Sequence, residues 1–505
     1  MKYRPLMVLG TGSDVGKSIM VAALCRIFYQ DGIRVAPFKA QNMALNSFIT
    51  AEGAELGRAQ VMQAQAAGLA PQVDMNPILL KPCMGRGCQV IVHGKVRANL
   101  GPDDYYGQKP RLVRQVMASF RRLQEAHELI ILEGAGSAAE LNLKKSDLVN
   151  FSMARRAGAA VLLVADIDRG GVFAATIGTF HLLTPSERRL LAGFIINKLR
   201  GDVSLFAEGV RIIQVRTKRP VFGVVPFIPD LNLPQEDSVA LDQKLGRCPR
   251  NLTAALQIGV LRLPHISNYT DFDPLEQEPD VALHYLDHRH DLKAMDLVII
   301  PGTKNTIADL GYLKQSGLFQ RLRDYASNGG HLIGICGGYQ ILGLVVKDPL
   351  GVEGTTPEAE GLGLLPLVTT MAGDKTTTQV EARVTGLPGS VALLRGYEIH
   401  MGITEAVGPG QAVFEICRRL GESVWVPDGW ISPDQRVWGS YLHGLFDNDD
   451  FRHSLLQQFR AHKGLSGELT SAFNFANGLE AEFNRLADIV RRHLDLDHIR
   501  GLIKP

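Results

Sequence analysis

The feature that most constrains this chain is a series of short, wholly apolar runs separated by helix-length segments. Leu6–Gly10, Val35–Phe38, Leu129–Glu133, Ala160–Asp166, Gly193–Asn197 and Val221–Val224 are nearly all apolar and do not alternate with polar residues. Such runs are strands covered on both faces, as in a parallel sheet, and the stretches between them can supply crossover helices. The pattern pauses over residues 226–255, where three prolines fall in the first nine positions. It resumes at Gln257–Leu263, Leu297–Pro301 and His331–Ile335, with further strands expected near 391–400, 412–416 and 436–442. After Asp447, HSLLQQFRAH and FNRLADIVRRHLDL have amphipathic helical spacing. The predicted fold class is α/β, with two doubly wound domains at 1–240 and 255–448 and a helical tail over 449–505.

Composition excludes several classes of function. Lys+Arg total 54 and Asp+Glu 52 over 505 residues, a net charge of +2. That balance argues against nucleic acid or an anionic membrane as the main partner, because both need a basic surface excess. The six cysteines form no C-x-x-C pair and are too sparse for a disulfide framework. No apolar run reaches the ~18 residues of a membrane span, and the N-terminus lacks a signal-peptide pattern. A cytoplasmic protein acting on small molecules is expected, with its oligomeric state unknown. The 52 glycines suit strand-to-helix turns at which backbone approaches a ligand.

Two turns carry chemistry. The first is Gly10-Thr11-Gly12-Ser13-Asp14-Val15-Gly16-Lys17-Ser18, between a strand and a helix-like segment. Backbone N–H groups there can cradle phosphates, Lys17 can reach the β/γ-phosphates, and Ser18 can ligate Mg²⁺. Gly12, Gly16, Lys17 and Ser18 are thus candidate nucleotide contacts. The spacing departs from the common phosphate loop, because Thr11 stands where a glycine is usual. This form resembles the dethiobiotin synthetase branch of P-loop proteins. Glu133, at the carboxyl end of a parallel strand beside this loop, is the second candidate metal ligand. Asn197 ends another strand, as a purine contact or a turn residue. Asp166, Asp168 and Arg169 end a further one, facing a metal or anionic substrate, or forming a surface ion-pair cluster.

The second turn is GGHLIGICGGYQILG. A buried strand meets Cys336 and a helix starts at Gly337, a nucleophile-elbow arrangement whose small neighbours permit the sharp turn. A helix N-terminus favours thiolate, and the Gly337 N–H can supply half of an oxyanion hole. The loop Pro301-Gly302-Thr303-Lys304-Asn305 offers the other half. Of fourteen histidines, His443 in GSYLHGLF is the favoured base, with His400 in GYEIHMG as competitor. Cys83 and Cys88 are read as structural, and His284, His288 and His290 as a solvated stretch.

G-I-C-G-G-Y-Q is similar to the signature of class I (triad) glutamine amidotransferases. The resemblance implies that Cys336 attacks the glutamine carboxamide, His443 shuttles protons and Gln340 helps to hold the substrate. The usual His-x-Glu is missing, because Leu445 stands two residues after His443. Glu398 is a candidate replacement. A dethiobiotin synthetase-like P-loop fused upstream of such a domain resembles the group of cobyrinate a,c-diamide and cobyric acid synthases. The segments PFKAQNMALNS, EGAGSAAELNL, DIDRGGVFA, INKLRGD, LPHISNYTDFDPL and GYEIHMG favour the cobyric acid synthases. That resemblance implies ATP- and glutamine-dependent amidation of the b, d, e and g carboxylates of adenosylcobyrinic acid a,c-diamide, through phosphorylated carboxylates. ATP, Mg²⁺, glutamine and a corrinoid are the implied cofactors and substrates. Lys39, Gln41, Asn42, Asn46, Asp147 and Arg169 are candidates for the corrinoid side. Cobyrinic acid a,c-diamide synthesis, or a regulatory P-loop ATPase with a degenerate amidotransferase domain, remain as alternatives.

Overall fold

In a computed structural model of the chain, residues 2–82, 87–236, 251, 253–388, 393–465 and 473–504 are described. Cys83 and all of residues 237–250, which run from the end of the first expected domain towards the second, lie outside them.

The six apolar runs of the first half form one parallel sheet. Its strand order is Val221–Pro226, Leu191–Leu199, Ala160–Asp166, Leu6–Gly10, Leu129–Glu133, Val35–Phe38. Alternate residues of the Leu6–Gly10 strand enter two different cores: Met7 and Leu9 one, Leu6 and Val8 the other. Both faces are covered, which is why the runs do not alternate in polarity. All the first-half strands ending in candidate residues deliver them to one edge, where an open α/β sheet binds ligands. A four-stranded sheet, from Gln41–Met43 to Lys95–Leu100, and a hairpin, Ser47–Ile49 with Glu55–Gly57, rise beyond that edge. Neither is among the strands expected from the apolar runs.

The second half contains a parallel run of Val281–Leu286, Leu256–Leu261, Leu297–Ile300, Leu332–Ile335 and Val437–Ser440, with Trp430–Ile431 antiparallel at the edge. His284 lies in the first of these strands and bonds Gln257 at 2.7 Å, so the histidine stretch is partly structural. A seven-stranded sheet built around Leu367–Val384 and Leu394–Ala406 packs beside it.

Residues 449–503 do not behave as one element. Helix Asp449–His462 buries Phe451, Leu455, Leu456 and Phe459 in the core of the second half. Helices Phe475–His493 and Leu496–Ile503 return to the first half, where Phe483, Leu486, Val490, Ile499 and Ile503 pack against the parallel sheet and helix Lys17–Gln30. The Asp495 N–H donates to the Phe222 carbonyl at 2.7 Å. A side chain at Gly223 would collide with the His493 carbonyl, so this close approach requires glycine.

Candidate functional site

The phosphate loop leaves the buried strand Leu6–Gly10 and enters helix Lys17–Gln30 through Gly16, whose φ of 95° is left-handed. A Cβ there would collide with Asn197. Asn197 donates to the Val15 carbonyl at 2.9 Å, so its amide nitrogen braces the loop from beneath. Lys17 Nζ donates to the carbonyls of Gly12 (2.7 Å) and Gly136 (2.9 Å), folding the ammonium over the loop. Ser18 donates to Glu133 Oε1 at 2.9 Å, Lys39 reaches the same oxygen at 2.8 Å, and Gln63 donates to Oε2 at 2.5 Å. Burial alone would push the Glu133 carboxyl up, but Lys39, Gln63 and Lys17 outweigh it and hold the acid ionised. Ser18 and Glu133 thus set two hard oxygen donors side by side, the ligand type that Mg²⁺ takes.

These groups open onto a cavity of about 1500 Å³. Gly16, Lys17, Ser18, Lys39, Gln41, Asn42, Glu133, Asp147 and Asn197 line it. Asp147 accepts from the backbone N–H groups of Val149, Asn150 and Ser152 at 2.8–3.0 Å, so it organises the start of helix Phe151–Ala157 as well as the wall. Gln41 accepts from the Tyr105 hydroxyl. Asn42 bridges Gln60 (3.0 Å) and Glu236 (2.7 Å). Two corrinoid-side candidates stand elsewhere. Arg169 pairs with Asp14 at 2.6 Å on the outer side of the phosphate loop. Lys198–Asp166 and Arg200–Asp168 complete a cluster with it, the ion-pair alternative for this segment. Asn46 turns to the second half, accepting from the Tyr269 N–H at 3.3 Å.

The elbow forms as its glycines require. Cys336 has φ 52° and ψ −108°, a strained turn between strand Leu332–Ile335 and helix Gly337–Leu342. A side chain on Gly338 would overlap the Ile300 carbonyl, and one on Gly337 would press on Thr303. This pins the helix start against the Pro301–Asn305 loop. Cys336, Gly337, Thr303, Gln340 and His443 line one small chamber of about 60 Å³. A Cβ on Gly302 would lie 3.3 Å from His443 Cε1, so the loop passes close over the imidazole. Gln340 is buried, accepting from Thr306 (2.7 Å) and donating to Tyr441 (3.1 Å).

The two histidines separate clearly. His443 Nδ1 lies 2.6 Å from Asp271 Oδ2, and Tyr397 stacks on its ring at 5.2 Å. Its Nε2 is buried and makes no hydrogen bond within the described residues. Burial would lower the His443 pKa, but Asp271 and then Cys336 outweigh it and push it up to about 10. His400 also lines the chamber, but stacks on Tyr441 at 3.8 Å and bonds the Gly402 carbonyl at 2.8 Å.

The carboxylate beside His443 is therefore Asp271, in the SNYTDFDPL segment. Glu398 is not that group: its two oxygens accept from Arg419 at 3.0 Å each, which commits it to an ion pair. Asp271 lies 172 residues before His443 and no local spacing links them. The only signal was an acid within a short segment that folds as a buried 3₁₀ turn, Tyr269–Phe272.

Two family models match the chain. Residues 6–239 match a CobQ/CobB/MinD/ParA nucleotide binding domain, and residues 257–451 a CobB/CobQ-like glutamine amidotransferase domain. The cobyric acid synthase of Syntrophobacter fumaroxidans is 51% identical over 508 residues, covering 99% of both chains. Those of Moorella thermoacetica and Salmonella heidelberg are 47% and 48% identical, covering 99% of this chain and 98% of theirs.

Proposed function

We propose a division of labour within this chain from the premise that it belongs to the cobyric acid synthase family: the second half releases ammonia from glutamine and the first half uses it, with ATP, to amidate corrinoid carboxylates. Its overall activity is glutamine-dependent amide formation in cobalamin biosynthesis. The relatives favour this over a,c-diamide synthesis and over a regulatory ATPase. The observation that carries the reading is the coexistence, in one chain, of a Cys–His–Asp constellation and a phosphate-loop cavity of about 1500 Å³. Ordinary small-molecule sites run to ~300–1,000 Å³, so this one can hold nucleotide and a large acceptor together.

In the second half, the Cys336 thiolate attacks the glutamine carboxamide carbon. The N–H of Gly337 and the Gly302–Thr303 backbone stabilise the oxyanion. His443, kept protonated and oriented by Asp271, gives its proton to the leaving ammonia, and water then hydrolyses the thioester. In the first half, a corrinoid carboxylate attacks the γ-phosphate of ATP. The loop amides of Gly12–Gly16 and the Lys17 ammonium take up charge on the transferring group. Ser18 and Glu133 are the residues that would hold Mg²⁺, which screens phosphate charge when bound. Ammonia then displaces phosphate from the acyl phosphate to give the amide. Lys39, Gln41, Asn42 and Asp147 face the acceptor.

The test is purified protein with ATP, Mg²⁺, glutamine and adenosylcobyrinic acid a,c-diamide, followed by mass spectrometry. Stepwise exchange of hydroxyl for amino at the b, d, e and g groups is expected, and no exchange with glutamine or with ammonia would sink the reading. Cys336→Ala should abolish glutamine use and spare ammonia use, whereas Lys17→Ala should abolish both.

A further inference from the structure

The chamber in front of Cys336 is also lined by three lysines whose side chains the mechanism above does not use: Lys304 on the 301–305 loop, and the pair Lys81 and Lys375. The pair comes from different halves of the chain. Lys81 sits on strand Ile78–Pro82 of the first half. Lys375 sits on Leu367–Val384 of the second, inside the register break between Met371 and Thr376. Both close on one carboxylate, Glu55, at 2.5 and 2.6 Å. Ser47 completes the cluster, accepting from Lys81 (2.8 Å) and donating to Glu55 (2.9 Å). The side chains of Glu55, Lys81 and Lys375 are 0%, 5% and 10% exposed.

Two ammonium groups share one carboxylate at the chamber wall, and Lys304 adds a third cation to the lining. Cations held out of water are costly, and an entering anion offsets part of that cost. Burial accordingly pushes the Lys375 ammonium down to about 7, despite its contact with Glu55. The molecule whose carboxamide must reach Cys336 carries an anion at its other end.

We propose that Lys81 and Lys375 bind the α-carboxylate of glutamine, so that the glutamine site is completed by a residue of the ATP-binding half. Glu353, the one acid among the described lining residues, is the acceptor for the α-ammonium group. The inference rests on the glutaminase reading of Cys336. It also gives the second half a reason to need the first: without Lys81 and Glu55 the carboxylate subsite is half-built.

The test uses the full chain with ATP, Mg²⁺ and corrinoid, and compares kcat/KM for L-glutamine and for γ-aminobutyramide, which keeps the carboxamide and amine and lacks the carboxylate. The wild-type enzyme should prefer glutamine by about 100-fold or more, as expected for two charge-assisted hydrogen bonds. Lys375→Met and Lys81→Met should each cut that preference by about tenfold, through a higher KM for glutamine. Because both substrates are read on the same active molecules, partial misfolding cancels from the ratio, and either variant decides alone if the other is insoluble. An unchanged preference in the variants, or equal loss for both substrates, overturns the inference. Glutamine hydrolysis that survives in Cys336→Ala overturns the underlying reading instead.

Discussion

His443 shows how much a single neighbour decides. Burial disfavours its charged form, and the Asp271 carboxylate 2.6 Å away reverses the balance. The same contact fixes which ring nitrogen faces Cys336, because Nδ1 is committed to Asp271. Asp271→Asn should therefore lower kcat for glutamine by about 10²–10⁴-fold, the usual range for a lost general acid–base function. Its second signature is in pH. With the carboxylate charge gone, the His443 pKa falls from about 10, so the imidazolium is lost at lower pH and the alkaline limb of the glutaminase profile moves down. A steady-state pH–rate series on both proteins reads this. A variant that loses rate with an unmoved alkaline limb would show that Asp271 acts only through packing. Glu398→Gln should leave the limb in place, since that carboxylate serves Arg419.

At the scale of elements, the elbow is the most tightly specified turn. Gly338→Ala would drive a methyl into the Ile300 carbonyl, with backbone on both sides and no flexible side chain to yield. Overpacking of that kind costs about 1–3 kcal/mol, and here it must also shift Cys336 against the 301–305 loop. We expect reduced stability in urea titration, and a loss of glutamine-dependent turnover larger than the loss of stability explains. Such an element is legible in sequence because its constraints are local: glycines beside a cysteine after an apolar run. The six parallel strands of the first half were legible for a similar reason, since burial on both faces leaves an unbroken apolar run. Elements whose constraints are long-range were not. Strand Leu367–Val384 carries the run Lys375-Thr376-Thr377-Thr378-Gln379 and looks like a polar loop. Its neighbours explain it: Thr377 bonds the Gly53 carbonyl, Gln379 bonds the Ile49 carbonyl and Lys375 pairs with Glu55. Those polar side chains face the other half of the chain. Asp271 was hidden likewise, because its partner is distant in sequence.

At the scale of the molecule, the two halves are held together by buried polar contacts that converge on the glutaminase residues. Ser47 donates to Asn268 at 3.0 Å, and Asn268 lies 3.5 Å from His443 Nδ1. Arg58 is buried, and the carboxylates of Asp447, Asp271 and Asp273, with Tyr397, keep it charged against burial. Glu55 is the centre of this interface. Burial would raise its carboxyl, but Lys375 and Lys81 outweigh that and hold it at about 2. Because the folded pKa lies below the ordinary carboxylate value of ~4.5, the stability it contributes is complete above that value and is lost as pH falls towards 2. Glu55→Gln removes the carboxylate that the two buried ammonium groups share and should destabilise the interface by about 3–5 kcal/mol, with the acid-denaturation curve flattened between those pH values.

The C-terminal helices make a stronger demand on the whole chain. Phe483, Leu486, Val490, Leu494, Leu496, Ile499 and Ile503 are all buried against the first half, although they follow the entire second half in sequence. Removing seven such side chains from water contributes roughly 10–20 kcal/mol as an upper bound. That is comparable with the whole stability of a domain, about 5–15 kcal/mol. Deleting residues 475–505 should therefore unfold the ATP-binding half, even though the phosphate loop itself is intact. The second half keeps its own closing helix, Asp449–His462, and should remain folded. Limited proteolysis of the truncated chain reads the difference: rapid loss of the first half with a protected fragment beginning near residue 253 is expected. Equal protection of both halves would mean that these helices are an appendage, and that the close approach at Gly223 is incidental to the fold.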